Sequence, residues 1–230
     1  MLVEGFAAGM FQTNCYVVAA GPGEPCVVVD PGQDAEEGLR EVLRRQRLSP
    51  VAVLLTHGHL DHMWSVTPVC DGDDIPAWIH PEDRFMLADP LKGVGPMGAQ
   101  VAAMYPGLEF REPQRVETLD DGAELELAGV RLTVAHTPGH TRGSVVFRSA
   151  VEGEQPFVVA GDTLFQDGIG RTDLPGGSTE EMMASIRDRL LTLPDETAVL
   201  PGHGPTTTVG RERDENPFLR GLRSAPGRHL

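Results

Sequence analysis

The chain has 230 residues, 40% hydrophobic and 23% charged, the proportions of an ordinary globular protein long enough to bury a full core. One domain covering residues 1–230 is the expectation. With 19 basic against 34 acidic residues the formal charge is −15 at pH 7, which repels phosphate backbones and anionic membrane surfaces and so argues against nucleic acid or membrane as partners.

In chain order, residues 1–20 lack a basic segment, carry Glu4 and are interrupted by Gln12, Thr13 and Asn14. No run of about 18 apolar residues occurs anywhere, so neither an export signal nor a membrane span is expected. Residues 15–19 and 27–29 read as short strands. Cys15, Cys26 and Cys70 are odd in number and form no C-x-x-C pair, which points to a reducing cytoplasm rather than to disulfides or a thiolate zinc site. Apolar residues at helical spacing predict a helix over 35–47, with Asp34 as its N-cap, and residues 51–55 read as the next strand. Residues 89–115 are rich in Gly, Pro and Met and helix-like only over 97–104; they read as a long connection, with a flap over a site as the alternative. Strands follow at 130–135, 145–147 and 157–160, then a helix over 179–191 capped by Ser178, then a strand at 198–200. Strands separated by helices indicate a layered α/β chain without repeats.

Chemistry concentrates in Thr56-His57-Gly58-His59-Leu60-Asp61-His62, which holds three of the eight histidines. Neutral imidazole and ionised carboxylate are good ligands for Zn²⁺ and similar ions, each ion wanting about four donors. In an extended segment His57 and His59 point the same way, whereas the adjacent Asp61 and His62 diverge, so the motif can seed two sites with one pair each. His140, Asp162 and His203 each follow a predicted strand, as His57 does, so four segments can deliver donors to one edge of the sheet core. Gly139, Gly161, Gly202 and Gly204 flank them and permit tight turns. Asp30 and His136 are candidates to fix ligand tautomers.

These phrases resemble the metallo-β-lactamase superfamily: the H-x-H-x-D-H loop, then Gly139-His140, Gly161-Asp162 and Gly202-His203, in an ordered pattern that extends over residues 11–218. The resemblance implies a four-layer αββα sandwich with two divalent metal ions at one edge. Zinc is the first choice, with iron or manganese as alternatives. It implies His57, His59 and His140 on one ion, Asp61, His62 and His203 on the other, and Asp162 bridging. Within the superfamily the chain looks most like short bacterial glyoxalase II-type thioester hydrolases, on Gly170-Arg171-Thr172-Asp173 and Leu200-Pro201-Gly202-His203-Gly204-Pro205. Full-length enzymes of that type carry an extra C-terminal helical region that helps hold glutathione; here only residues 204–230 follow the last ligand, which leaves the thiol open.

Two cations sharing a water lower its pKa from about 15.7 toward about 7 and supply hydroxide at neutral pH. A small-molecule acyl-thiol suits such a site, because a thiolate of pKa about 8.5 departs with little acid assistance, and the glyoxalase II resemblance implies S-(2-hydroxyacyl) thiol esters cleaved by metal-bound hydroxide. Asp61 is the expected catalytic carboxylate, orienting the hydroxide, and Arg171 the expected holder of an anionic part of the substrate. The rival reading is a mononuclear iron persulfide dioxygenase using His57, His140 and Asp162; that family also shows a Gly-Arg-Thr-Asp segment. The hydrolase is preferred because every ligand of a second site is present. A nucleic-acid-processing role is opposed by charge and length, and a non-catalytic binding role by the seven intact ligands. A monomer or small homo-oligomer is expected.

Overall fold

Alternation with period two sets the layers. The computed structural model describes residues 1–105, 107, 109–149, 151 and 153–222. Its first sheet contains β1 (Leu2–Ala8), β2 (Thr13–Ala19), β3 (Pro25–Val29), β4 (Ser49–Leu54), β5 (Ala77–Ile79) and β6 (Val116–Thr118), in that order. The helices α1 (Ala35–Gln46), α2 (Leu60–Met63), α3 (Val66–Asp73) and α4 (Gly98–Met104) lie between its strands in sequence. The second sheet comprises β7 (Glu124–Leu127), β8 (Val130–His136), β9 (Val145–Ser149) and β10 (Phe157–Gly161). A small hairpin, β11 (Leu164–Phe165) and β12 (Gly168–Ile169), follows β10. Next come α5 (Thr179–Ser185), β13 (Ala198–Pro201), β14 (Thr207–Thr208) and α6 (Val209–Glu215). The order across this sheet is β14-β13-β10-β9-β8-β7, parallel only between β10 and β13.

On β2, Cys15, Val17 and Ala19 face one core and Tyr16 and Val18 another. On β4, Val53 faces the first and Ala52 and Leu54 the second. The first core is closed by Leu39 and Val42 of α1 and by α2 and α3; the second lies between the sheets, where Val27 and Leu54 share a cluster with Val134, Phe147 and Val159. A third core joins Val146, Val158 and Val199 to Met182, Ile186 and Leu190. Alternate residues thus pack on a helix layer and on the opposite sheet, which gives the αββα sandwich.

The predicted helix at 35–47 is α1, although Asp34 adopts a left-handed conformation (φ 56°) and makes no capping hydrogen bond. The one at 179–191 is α5 continued by a π-helical turn over Ile186–Leu190, and Ser178 caps it, its Oγ accepting from Glu181 N at 3.3 Å. The sequence reading missed β1, β5 to β7, β11, β12 and β14, which are half-exposed or only two to four residues long and carry little periodic signal. Within 89–115 the structure forms short 3-10 turns and α4; Pro106 and Leu108, and the end of the chain at 223–230, lie outside the described residues.

Phe147 is fully buried between the sheets. Phe147→Ala is expected to cost about 3–5 kcal/mol, read as a lower urea midpoint at unchanged slope. A loss below about 1 kcal/mol would show that the two sheets do not share a tightly packed core.

Candidate metal centre

Four strand ends converge. His57 and His59 follow β4, His140 follows β8, Asp162 follows β10 and His203 follows β13. Asp61 and His62 sit on α2, where the helical turn separates their side chains. The approach is close enough to require glycine at position 202: a Cβ there would strike the Asp162 carboxylate and the His62 ring. The two sheets are stitched at this edge by β2. Asn14 N donates to Gly202 O at 2.7 Å, Asn14 Nδ2 to Pro201 O at 2.9 Å, and Tyr16 Oη to Pro201 O at 2.8 Å.

Three groups of donor atoms come within 4.8 Å of one another: His57, His59 and His140; His57, His62 and Asp162; and Asp61, His62 and His203. The hydrogen bonds on the far sides of the rings set which nitrogen faces inward. Thr56 Oγ1 donates to Asp30 Oδ2 at 2.6 Å, so its lone pair accepts from His57 Nδ1 at 3.1 Å. His62 Nδ1 donates to Asp30 Oδ2 at 3.0 Å, His140 Nδ1 to Arg171 O at 2.8 Å, and His203 Nδ1 to Phe11 O at 3.1 Å. Each of these four rings therefore turns its Nε2 into the gap. His59 approaches by Nδ1, 2.8 Å from His140 Nε2.

Among the described residues, His57 Nε2, His62 Nε2 and Asp162 Oδ1 are buried without a hydrogen-bond partner. Buried polar atoms are almost always paired, and several orphaned lone pairs converging on one space is the arrangement that a cation resolves. Asp162 reaches both triplets: Oδ1 lies 3.3 Å from His62 Nε2, and Oδ2 lies 3.5 Å from His140 Nε2 and 3.7 Å from His203 Nε2. The histidine and aspartate clusters are thus compatible with a dinuclear metal site.

Electrostatics divide the cluster. Burial and then the neighbouring imidazoles hold His57 well below its ordinary pKa and push His59 down to about 3. Burial opposes the ionised carboxylates, but His62 and then His203 hold Asp61 well below the usual range, and His62 and His140 hold Asp162 down to about 2. In the metal-free chain His62, against its burial, is raised by Asp162, Asp61 and Asp30, and His203 by Asp61 and Asp162.

Asp30, a candidate from sequence, anchors both Thr56 and His62. His136 does not serve the cluster: its ring stacks on His80 at 4.3 Å and 6°, and its Nε2 lies 2.7 Å from Arg142 O. Those two rings with Glu82 form a further group of donors, but an ion cannot lie in the planes of two parallel stacked imidazoles at once. Arg171 stands at the edge of the site with its guanidinium in the Asp173 carboxylate, two bonds of 2.8 Å each, and its contribution to the cluster is the backbone carbonyl that orients His140.

Asp83 was missed. Buried, it accepts from Gly58 N at 3.0 Å, Thr141 Oγ1 at 2.6 Å and Gly143 N at 2.8 Å, tying the His57–His59 loop to the His140 loop. No motif marks it; a buried carboxylate is recognised only from its partners.

Above the cluster opens a cavity of about 480 Å³ whose walls include Phe11, Val94, Val101, Phe165, Ile169 and Leu174. Val94 and Val101 come from the segment 89–115, which serves as a wall of the site as well as a connection.

Asp83→Ala leaves three donors without an acceptor at about 1–3 kcal/mol each. It is expected to lower stability by at least about 2 kcal/mol and to weaken metal retention in a chelator competition, although Asp83 hydrogen-bonds no candidate ligand. Unchanged metal affinity would show that the two loops need no tether. A second expectation concerns pH. His62 and His203 hold protons above the ordinary imidazole pKa in the metal-free chain, and a cation must displace them. Metal affinity should therefore fall as pH drops from 8 to 6, and calorimetry in buffers of different ionisation enthalpy should register proton release on binding. A flat affinity across that range would contradict the assignment.

Known proteins agree with this architecture. The family model of the metallo-beta-lactamase superfamily matches residues 8–203. An uncharacterised protein of Mycobacterium tuberculosis is 54% identical over 225 residues, covering 96% of this chain and 99% of the relative. The hydroxyacylglutathione hydrolase GloC of Haemophilus influenzae is 33% identical, covering 95% and 98%. The crystal structure of BLEG-1 B3 metallo-beta-lactamase superposes with a TM-score of 0.80 at 38% identity, over 96% of this chain and 100% of that one. That of TTHA1623 in a di-iron-bound form gives 0.74 at 41%, over 94% and 100%. With its sandwich, its edge cluster and a family match over most of its length, the chain belongs to the metallo-beta-lactamase superfamily of generally metal-dependent hydrolases.

Proposed function

We propose that the chain is a thioester hydrolase of glyoxalase II type, with His57, His59 and His140 holding one divalent ion, Asp61, His62 and His203 a second, and Asp162 reaching both. The observation that carries this reading is the complete set of seven candidate ligand side chains gathered at one gap beneath an open cavity. When bound, the two ions would supply Lewis acidity at the carbonyl oxygen and acidify a water. Zinc is our first choice; the di-iron form of TTHA1623 keeps iron in view.

The chain's own groups account for the rest. Asp61 Oδ2 accepts from Thr13 Oγ1 at 3.1 Å and faces His203 Nε2 at 3.1 Å, so the carboxylate is pinned at the cavity floor, where it orients the attacking water. In the net step water oxygen joins the acyl carbon and its protons pass to solvent, while the C–S bond breaks and its electron pair leaves on sulfur, giving a carboxylate and a thiolate of pKa about 8.5 that needs no dedicated acid. Among the described residues no helix is long and apolar enough to cross a membrane, and Cys15, Cys26 and Cys70 are buried free thiols, which supports placing the reaction in the reducing cytoplasm.

The Haemophilus relative's name points to hydroxyacylglutathiones, of which S-lactoylglutathione is the one to try first, and the name of BLEG-1 supplies a β-lactam as the comparison arm. Protein purified without added ions is expected to carry about two metal ions per chain and to cleave thioesters without oxygen uptake. One iron per chain, oxygen consumption on glutathione persulfide and no thioesterase would overturn the reading in favour of the dioxygenase. Asp162→Ala is expected to lower occupancy of both sites, and His203→Ala chiefly that of the second. Two tightly held ions and full activity in His203→Ala would remove His203 from the ligand set.

A further inference from the structure

The geometry points to a substrate whose body beyond the thioester is uncharged and apolar, an aliphatic or aromatic acyl-thiol rather than a carboxylate-bearing one such as a glutathione ester. This rests on the thioesterase reading, keeps its chemistry and replaces the glutathione ester as the preferred substrate.

The cavity of about 480 Å³ is large enough for a small organic molecule, and its floor is the cluster itself: His59, Asp61, His140, Asp162 and His203. Everything specific to a substrate must therefore come from the walls. Those are apolar and come from four separate segments. Phe11 precedes β2, Val94 and Val101 belong to 89–115, Phe165 and Ile169 to the β11–β12 hairpin, and Leu174 to the following loop. Phe165 stands edge-on to His203 at 6.2 Å, and Phe11 lends its carbonyl to the same ring, so apolar surface reaches the reacting centre.

Among the described residues of this lining, Arg171 is the one lysine or arginine. Its fork is filled by Asp173, Nε to Oδ1 and Nη2 to Oδ2, both at 2.8 Å. A substrate carboxylate arriving there would exchange one carboxylate for another. It would gain no new ion pair and would leave Asp173 as an unpaired negative charge beside it. Apolar burial is the interaction these walls do offer.

The test uses the metal-loaded enzyme and S-acyl-N-acetylcysteamine thioesters from acetyl to octanoyl, beside S-lactoylglutathione. kcat/KM is expected to rise about 3- to 4-fold per added methylene until the cavity is filled, and to exceed the S-lactoylglutathione value from hexanoyl upward. Val94→Asp should flatten the series. Phe11→Ser should lower its slope without unfolding the chain, because Phe11 is 43% exposed. Binding is read separately: octanoate, but not lactate, should raise the melting temperature of the loaded protein. A flat series with S-lactoylglutathione preferred would overturn the inference and leave the hydrolase reading standing. Failure to cleave any thioester would overturn the hydrolase reading, and the octanoate shift would still decide the cavity: none, or one matched by lactate, sinks the inference as well.

Discussion

Hydrogen bonds on the outer sides of the imidazoles hold this structure's centre together. Without Asp30, Thr56 and the carbonyls of Phe11 and Arg171 fixing Nδ1, each ring is free to flip and pair with a neighbouring carboxylate, which would use up the lone pairs. With them, His57 Nε2, His62 Nε2 and Asp162 Oδ1 stay buried without a hydrogen-bond partner, a state that costs about 1–3 kcal/mol for each orphaned group. The fold must supply that free energy from elsewhere, and the three apolar cores are where it comes from. A cluster of this kind is stable only at the rim of a rigid body.

The sandwich provides that rim because strand ends are its most precisely placed positions. β4, β8, β10 and β13 belong to two sheets, so their C-terminal ends meet only if the sheets are held in register across the core. Asn14 and Tyr16 reach from the first sheet to the His203 turn of the second, and Asp83 bonds both the His57–His59 loop and the His140 loop. Such contacts place no atom on a metal, yet they set the distances on which a two-ion centre depends.

Floor and walls of the site have separate origins. The floor uses residues at strand ends and on α2, whereas the walls use loops, the hairpin and the segment 89–115. Proteins that share this sandwich carry names as different as hydroxyacylglutathione hydrolase and B3 metallo-beta-lactamase. In this chain the candidate ligands and the cavity walls thus belong to different kinds of element, so either could change without the other.

The cluster residues of 57–62, the central strands and both long helices are legible in the sequence, because residue type, period and capping act over a few positions. His140, Asp162 and His203 are legible for the same reason, each lying just past an apolar run with a glycine beside it. Short strands such as β5 and β6 span too few residues to show a period, and they form because the neighbouring strands offer them partners. Asp83 and His136 mark the deeper limit. One is a buried tether and the other a ring stacked on His80, and only the packing of segments 58 and 56 positions apart (83 to 141, 80 to 136) separates these roles. Arg171 has the same history: its type suggests an anion, and only the folded chain shows that a turn brings Asp173 against its guanidinium. Local sequence specifies what a side chain is able to do; the tertiary structure alone decides what it faces, since hydrogen bonds and ion pairs require atoms within a few ångströms and chain separation sets no such distance.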